Sequence, residues 1–305
     1  MNNTQLLKML ASNRDLIQRS IPGALDDLQH LIDDCAAIED DTVLLYLELN
    51  QALVDIFFHS RYKAAIERCS TAIGRFKNAH RIAFAWHYWA LGHCCALLGR
   101  HDECAGYLDK VTAHVTRADS EYPWIMVGAL IARVMNNEVQ DELDDTSLDY
   151  ALEALKIVEE LNDPVRKASC HTAMGNVLHN RGRYQEALDY FLLSLQVYEQ
   201  HYKLSDMAGA YSNIGTSYIG LGDFKKAEDY LLKSVELRNQ FSSPDQLSIS
   251  YHNLAIVYKN LNDLPRTKEM LEKCCDILER NGSTAFLNAT RRMLADVERE
   301  MAGSD

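Results

Sequence analysis

Along most of the chain, apolar side chains recur three and four positions apart, the spacing that gathers them on one face of an α-helix. Tyr184, Ala187, Leu188, Phe191 and Leu195 make one such stripe, and Phe224, Ala227, Leu231, Leu232 and Val235 make another. The pattern is itself repeated. Ala168 to Gln200, Ala208 to Gln240 and Ser248 to Arg280 align without gaps, and a small residue holds the same place in each: Gly175, Gly215 and Ala255, forty residues apart. The frame runs back through Ala132, Gly92 and Leu53 at nearly the same interval.

Seven residues beyond each marker the stripe breaks, at Ser60, Gly99, Val139, Gly182, Gly222 and Asn262. Glycine and asparagine tolerate the left-handed conformation just past a helix C-terminus, so Gly99, Gly182, Gly222 and Asn262 are predicted C-caps. Val139 does not suit that place, and it opens the one long interruption, Val139 to Thr146. Asp163-Pro164 and Ser243-Pro244 predict an N-cap followed by proline in the first helical position. Each unit therefore reads as helix, tight turn, helix. Neither helix can bury its apolar stripe alone, so the units must stack.

The markers resemble those of the tetratricopeptide repeat. That family has a small residue eighth, an alanine twentieth, and large residues fourth, eleventh and twenty-fourth. Gly175 is followed by Ala187 and Phe191, and Gly215 is flanked by Tyr211, Tyr218 and Ala227. Ala255 keeps Tyr251 and Tyr258 but has Thr267 at the alanine place. The usual period is about 34 residues. The longer period here is similar to that of kinesin light chain, Leu-Gly-Asn-repeat regulators and bacterial peptide-pheromone receptors, as are the runs Tyr-Ser-Asn-Ile-Gly at 211–215 and Tyr-His-Asn-Leu-Ala at 251–255.

The resemblance implies an all-α, right-handed superhelical solenoid of helical hairpins with a C-terminal capping helix. It divides the chain into a non-consensus helical pair (1–40), divergent repeats with an acidic insertion near 138–149 (41–162), three consensus-like repeats (163–281), and a capping helix and tail (282–305). The cap is expected near 284–301, with Phe286, Leu287, Met293, Leu294 and Val297 on one face and Arg291, Arg292, Asp296, Glu298, Arg299 and Glu300 around the other.

In such repeats the first helices line a concave groove. Carried over, the groove positions are Thr172, Asn176, His179 and Asn180 in one unit, Ser212, Asn213, Thr216 and Ile219 in the next, and His252, Asn253, Ile256, Lys259 and Asn260 in the third. An asparagine amide both donates and accepts, so it can pair with the backbone of an extended peptide. Asn176, Asn213 and Asn253 lead on that ground, although asparagines there could equally bond a neighbouring helix. Nearer the N-terminus, Trp86, Trp89 and His93 share a helix stripe and fall at groove positions in the same frame. They are expected to anchor a partner's side chains, the alternative being a core stripe covered by the first two helices. In the insertion, Glu138, Asp141, Glu142, Asp144, Asp145 and Asp149 read as a solvated loop whose last carboxylates favour a helix N-terminus, rather than as a basic-segment dock or a metal loop.

Composition narrows the function further. The formal net charge is −13, which disfavours nucleic acid and anionic membrane as partners. Met1 to Met9 has no signal-peptide pattern, and no apolar run approaches the ~20 residues of a membrane span. Eight cysteines without a Cys-x-x-Cys motif point to reduced thiols and a cytoplasmic setting. Phosphate-loop, zinc-protease and nucleophile-elbow motifs are all missing, so neither an enzyme, a cofactor nor a metal is expected. The reading is a protein–protein interaction module, adaptor or sensor, that binds a peptide or helix and is monomeric. The alternatives are a peptide-responsive part of a larger signalling protein and a self-associating scaffold.

Overall fold

A computed structural model of the chain describes residues 2–18, 23–59, 61–137, 145–241, 244–281 and 284–302. Among them there are fifteen α-helices and no strand. Two helices open the chain, α1 (Asn3–Gln18) and α2 (Gly23–Cys35). Six hairpins follow: α3 (Asp41–Phe57) with α4 (Tyr62–Arg75), α5 (Arg81–Leu97) with α6 (His101–His114), α7 (Tyr122–Asn137) with α8 (Thr146–Glu159), α9 (Pro164–Asn180) with α10 (Tyr184–Gln200), α11 (Leu204–Gly220) with α12 (Phe224–Phe241), and α13 (Pro244–Asn260) with α14 (Leu264–Asn281). Helix α15 (Thr284–Ala302) closes the chain. Two compact units divide inside α9, Met1–Ala173 and Met174–Asp305.

The turns within the hairpins are built as their residues predict. Gly99, Gly182, Gly222 and Asn262 take φ of 68°, 73°, 77° and 57°. In each turn the next residue's N–H returns to a carbonyl five residues back: Arg100 to Cys95, Arg183 to Leu178, Asp223 to Tyr218 and Asp263 to Tyr258, all at 2.9 Å. These bonds satisfy carbonyls that the helix end leaves without partners. At the start of α9, Asp163 Oδ1 accepts from the Arg166 N–H at 3.0 Å and Pro164 takes the first helical position, as the dipeptide predicts. Ser60, Ser243 and the stretch 138–144 lie outside the described residues, and with them Val139, Glu138, Asp141, Glu142 and Asp144. The described end of the insertion places Asp145 just before α8 and Asp149 in its first turn, where carboxylates oppose the positive end of the helix.

The repeat markers are places where two helices approach closely. A Cβ on Gly92 would lie 2.8 Å from Leu108, one on Gly175 2.5 Å from Phe191, and one on Gly215 2.7 Å from Leu231. Each large partner comes sixteen residues later, on the second helix of the same hairpin. Ala132 and Ala255 hold the same place, fully buried. Thr267, in place of the family's alanine, is buried because its hydroxyl donates to the Asp263 carbonyl at 2.7 Å.

The terminal helices are packed, not appended. Buried Asn50 on α3 donates to the Leu10 carbonyl at 2.9 Å and to Asn13 Oδ1 at 3.0 Å, while Asn13 donates to the Ala24 carbonyl at 2.8 Å. These bonds tie α1 to both α2 and α3, and Leu6, Leu10 and Ile17 are sealed beneath. At the other end, Val297 and Leu287 of α15 are buried, whereas Arg292, Glu298 and Glu300 face solvent. Lys268 reaches Glu298 at 2.8 Å across that edge.

One turn departs from the glycine rule. Tyr202, between α10 and α11, has φ of 51° and is 84% exposed, and the Lys203 N–H closes the same bond to the Tyr198 carbonyl at 2.9 Å. A residue with a Cβ is strained there, and the exposed ring makes no buried packing that offsets it. Tyr202→Gly is expected to stabilise the protein by about 1 kcal/mol, read as a raised urea midpoint. Gly222→Ala should shift the midpoint the other way.

Candidate functional site

In the first unit, the tryptophans of the α5 stripe are buried. Trp86 and Trp89 are 2% and 6% exposed and meet edge to face at 5.6 Å. Trp89 stacks on His93 at 5.7 Å, and Phe57 lies against the other side of that imidazole at 6.3 Å. Gly128 on α7 makes room for the Trp89 indole, which a Cβ there would meet at 2.5 Å. Trp86 and Trp89 therefore do not stand as open groove anchors: both are buried in the core, Trp86 beneath Arg14 of the first helix and Trp89 against Gly128 of α7. Burial lowers the pKa of His93, and of the fully buried His87, to about 4. His87 keeps one contact, Nδ1 to the Ala83 carbonyl at 2.9 Å.

One carboxylate ties α1 to this cluster. Glu121, in the segment leading into α7, accepts from Arg14 of α1 at 2.8 Å, from Trp86 Nε1 of α5 at 2.6 Å and from the Tyr46 hydroxyl of α3 at 3.3 Å. The Arg14 guanidinium also lies over the Trp86 ring at 4.2 Å and the Tyr46 ring at 5.2 Å. Burial and then the Glu121 charge raise the Tyr46 pKa. Sequence spacing gave no hint of Glu121, which lies outside every apolar stripe and gathers partners 35, 75 and 107 residues away.

In the second unit, the predicted positions on α9 and α11 come together. Asn213 donates to Asn176 Oδ1 at 3.2 Å, linking neighbouring first helices. His179 Nδ1 lies 3.3 Å from the Ser217 hydroxyl, which bonds the Asn213 carbonyl at 2.9 Å, so Ser217 joins a row that the repeat frame did not single out. Tyr184 meets the His179 ring at 5.1 Å. Asn176, His179, Asn213 and Thr216 are all half-buried. On α13, Asn253 is half-buried, and no hydrogen bond ties its amide to another described residue. His252 packs against Phe286 of α15 at 5.0 Å. Burial lowers the pKa of both His179 and His252.

Other predicted positions are occupied locally. The Thr216 hydroxyl bonds the Asn213 carbonyl at 2.9 Å, the Asn260 amide bonds the Ile256 carbonyl at 2.8 Å, and Lys259 reaches Glu300 of α15 at 3.5 Å. Thr172, in the first unit, bonds the Ala168 carbonyl of its own helix at 3.1 Å.

Three stretches, residues 85–108, 168–206 and 206–280, match family models described as tetratricopeptide repeat. Over these stretches the chain carries tetratricopeptide repeats. Its fold is similar to that of NprR in complex with its cognate peptide NprX, with a TM-score of 0.72 and 16% identity over 96% of this chain and 84% of that one. A Rap protein complexed with Competence and Sporulation Factor gives 0.69 and 14% over 99% and 100%. The apo form of the quorum sensor NprR from B. thuringiensis gives 0.66 and 17% over 96% and 79%. At such identities the likeness is one of fold. No curated protein matches the sequence.

Two outcomes follow from this geometry. Glu121→Ala leaves Arg14 buried without its counter-charge and should cost about 3 kcal/mol in urea unfolding. The two core histidines bind protons more readily unfolded than folded. Their contribution to stability is present above pH about 6.5 and is lost as pH falls toward about 4. Thermal midpoints measured from pH 7 to pH 4 should therefore fall, and His93→Phe should make the fall shallower.

Proposed function

We propose that this protein is a peptide-binding adaptor or sensor, and that the first-helix face of its second unit holds an extended segment of a partner. The observation that carries the reading is the row of half-buried amides and imidazoles on α9, α11 and α13. Asn176 and Asn213 are linked one to the next, which fixes their side chains, and Asn253 keeps a free amide. Fixed amides can pair with both N–H and C=O of an extended backbone without selecting side chains. The peptide bound to NprR, whose fold is similar, supports the same class of ligand.

Among the described residues, no three His, Cys, Asp or Glu side chains are grouped to hold a metal ion, and no helix is long and apolar enough to cross a membrane. The eight cysteines are all buried free thiols, which suits a reducing cytoplasm. The acidic surface, at a net charge of −13, leaves nucleic acid and anionic membrane as poor partners. The charged outer face of α15 suits a monomer.

A random-peptide library panned against the full chain tests the reading. Selected peptides should lose at least about tenfold in affinity for the double variant Asn213→Ala, Asn253→Ala, with helicity unchanged by circular dichroism. Equal affinity for the variant and the parent would remove the amide row from the binding site.

A further inference from the structure

Among the described residues, six glycines sit on the first helices of hairpins. Five have a steric reason. A Cβ on Gly92, Gly128, Gly175, Gly215 or Gly220 would come within 2.8 Å of a large side chain on a neighbouring helix. The sixth, Gly209 on α11, is different: a Cβ there would meet nothing within 4 Å beyond its own turn of helix. Its backbone is ordinary helix without a positive φ, so alanine would fit. Glycine destabilises a helix interior relative to alanine, and no close packing at this place offsets that.

Ile249 on α13 is the complementary exception. It is a large apolar side chain left 47% exposed, and its β-branch gives no advantage in helix propensity. The two positions belong to one place on the second unit. Gly209 lies four residues before Asn213, and Ile249 four before Asn253, so each shares a helix face with an amide of the row. Their level is set from beneath. Fully buried Ser234 of α12 donates to the Ala208 carbonyl at 2.8 Å and meets the Ser250 hydroxyl at 3.3 Å. Gly209 and Ile249 are the chain neighbours of those two residues, so they stand at one level on α11 and α13.

A missing side chain on one helix beside an exposed apolar one on the next makes a notch with one apolar wall. Packed helices lie about 10 Å apart and an extended chain advances about 3.3 Å per residue, so about three residues cross from α11 to α13. Amides that pair with a backbone do not select side chains. The notch does, because burying apolar area against Ile249 is favourable and bare backbone at Gly209 permits close approach.

We propose that Gly209 and Ile249 set the specificity of this face, and that the segment it holds carries one large apolar side chain seated between them. The inference rests on the reading of the amide row as a peptide site.

The full chain is panned with a random-peptide library, and the affinity of a labelled selected peptide is read by fluorescence anisotropy. Selected peptides should share one large apolar residue at a fixed place. Gly209→Leu fills the notch and should weaken such a peptide at least about tenfold, and Ile249→Ala should weaken it in the same direction. Gly209→Ala should lower affinity while raising the thermal midpoint by about 2 °C, a pairing that a folding defect does not produce. Replacing the shared apolar residue of the peptide by alanine should weaken binding to the parent about tenfold and to Gly209→Leu far less. The notch is overturned by selected peptides that share no apolar residue, by unchanged affinity in folded Gly209→Leu and Gly209→Ala variants, or by a lowered midpoint in Gly209→Ala. If it fails while the double variant Asn213→Ala, Asn253→Ala still loses the peptide, the amide row stands without it. If that double variant binds as the parent does, or panning returns no peptide, both fall.

Discussion

The close approach of two helices within one hairpin sets everything else. Where the first helix carries no side chain, at Gly92, Gly175 and Gly215, the second helix presses a leucine or phenylalanine against its backbone. Dispersion contacts and apolar burial at that point fix both the rotation and the spacing of the pair. Once the pair is set, the remaining apolar faces of both helices are exposed in a defined direction, and only another hairpin can cover them. The left-handed turn is the complementary local device, because it reverses the chain in two or three residues without leaving carbonyls unpaired.

On this common scaffold the two units carry different chemistry. The first is dominated by aromatics and by a charged knot, Arg14, Tyr46 and Trp86 converging on Glu121. Such a knot is costly to break, since each donor would be left buried beside low-polarity surroundings. It makes α1 part of the folded unit and not a loose extension. In the second unit the first-helix face carries short polar side chains. Short side chains bond one first helix to the next, through Asn213 and Asn176. A face of that kind can stiffen the stack and receive a ligand at once, because one amide has more hydrogen-bonding capacity than one neighbour uses.

Burial of polar groups in the second unit follows the same rule of satisfaction. Arg238 occupies a core position where Tyr198 and Leu278 stand in the flanking hairpins. It is buried, donates to the Gln246 carbonyl and the Ser250 hydroxyl, and its pKa is lowered to about 10 by burial. Ser234 bridges the same region to the Ala208 carbonyl at 2.8 Å. A core position read from periodicity as apolar can therefore hold a cation when backbone carbonyls and hydroxyls surround it.

By itself the sequence determined the local geometry. Apolar spacing marked the helices, Gly99, Gly182, Gly222 and Asn262 marked the left-handed turns, and Gly175, Gly215 and Ala255 marked the close approaches. Each of these depends on residues within about two helical turns or on one neighbouring helix, so a fixed spacing records it. Tyr202 escaped because the strain at its φ is carried by a residue type that gives no turn signal. The tertiary structure alone decided that the Trp86 and Trp89 stripe is closed. Trp86 and Trp89 have the spacing of a groove stripe and of a core stripe alike, and what distinguishes the two is what packs upon them, Arg14 of α1 on Trp86 and α7 at Gly128 on Trp89. That placement rests on Arg14, Glu121 and Asn50 meeting partners from 35 to 107 residues away, and periodicity along one helix carries no record of what packs upon it.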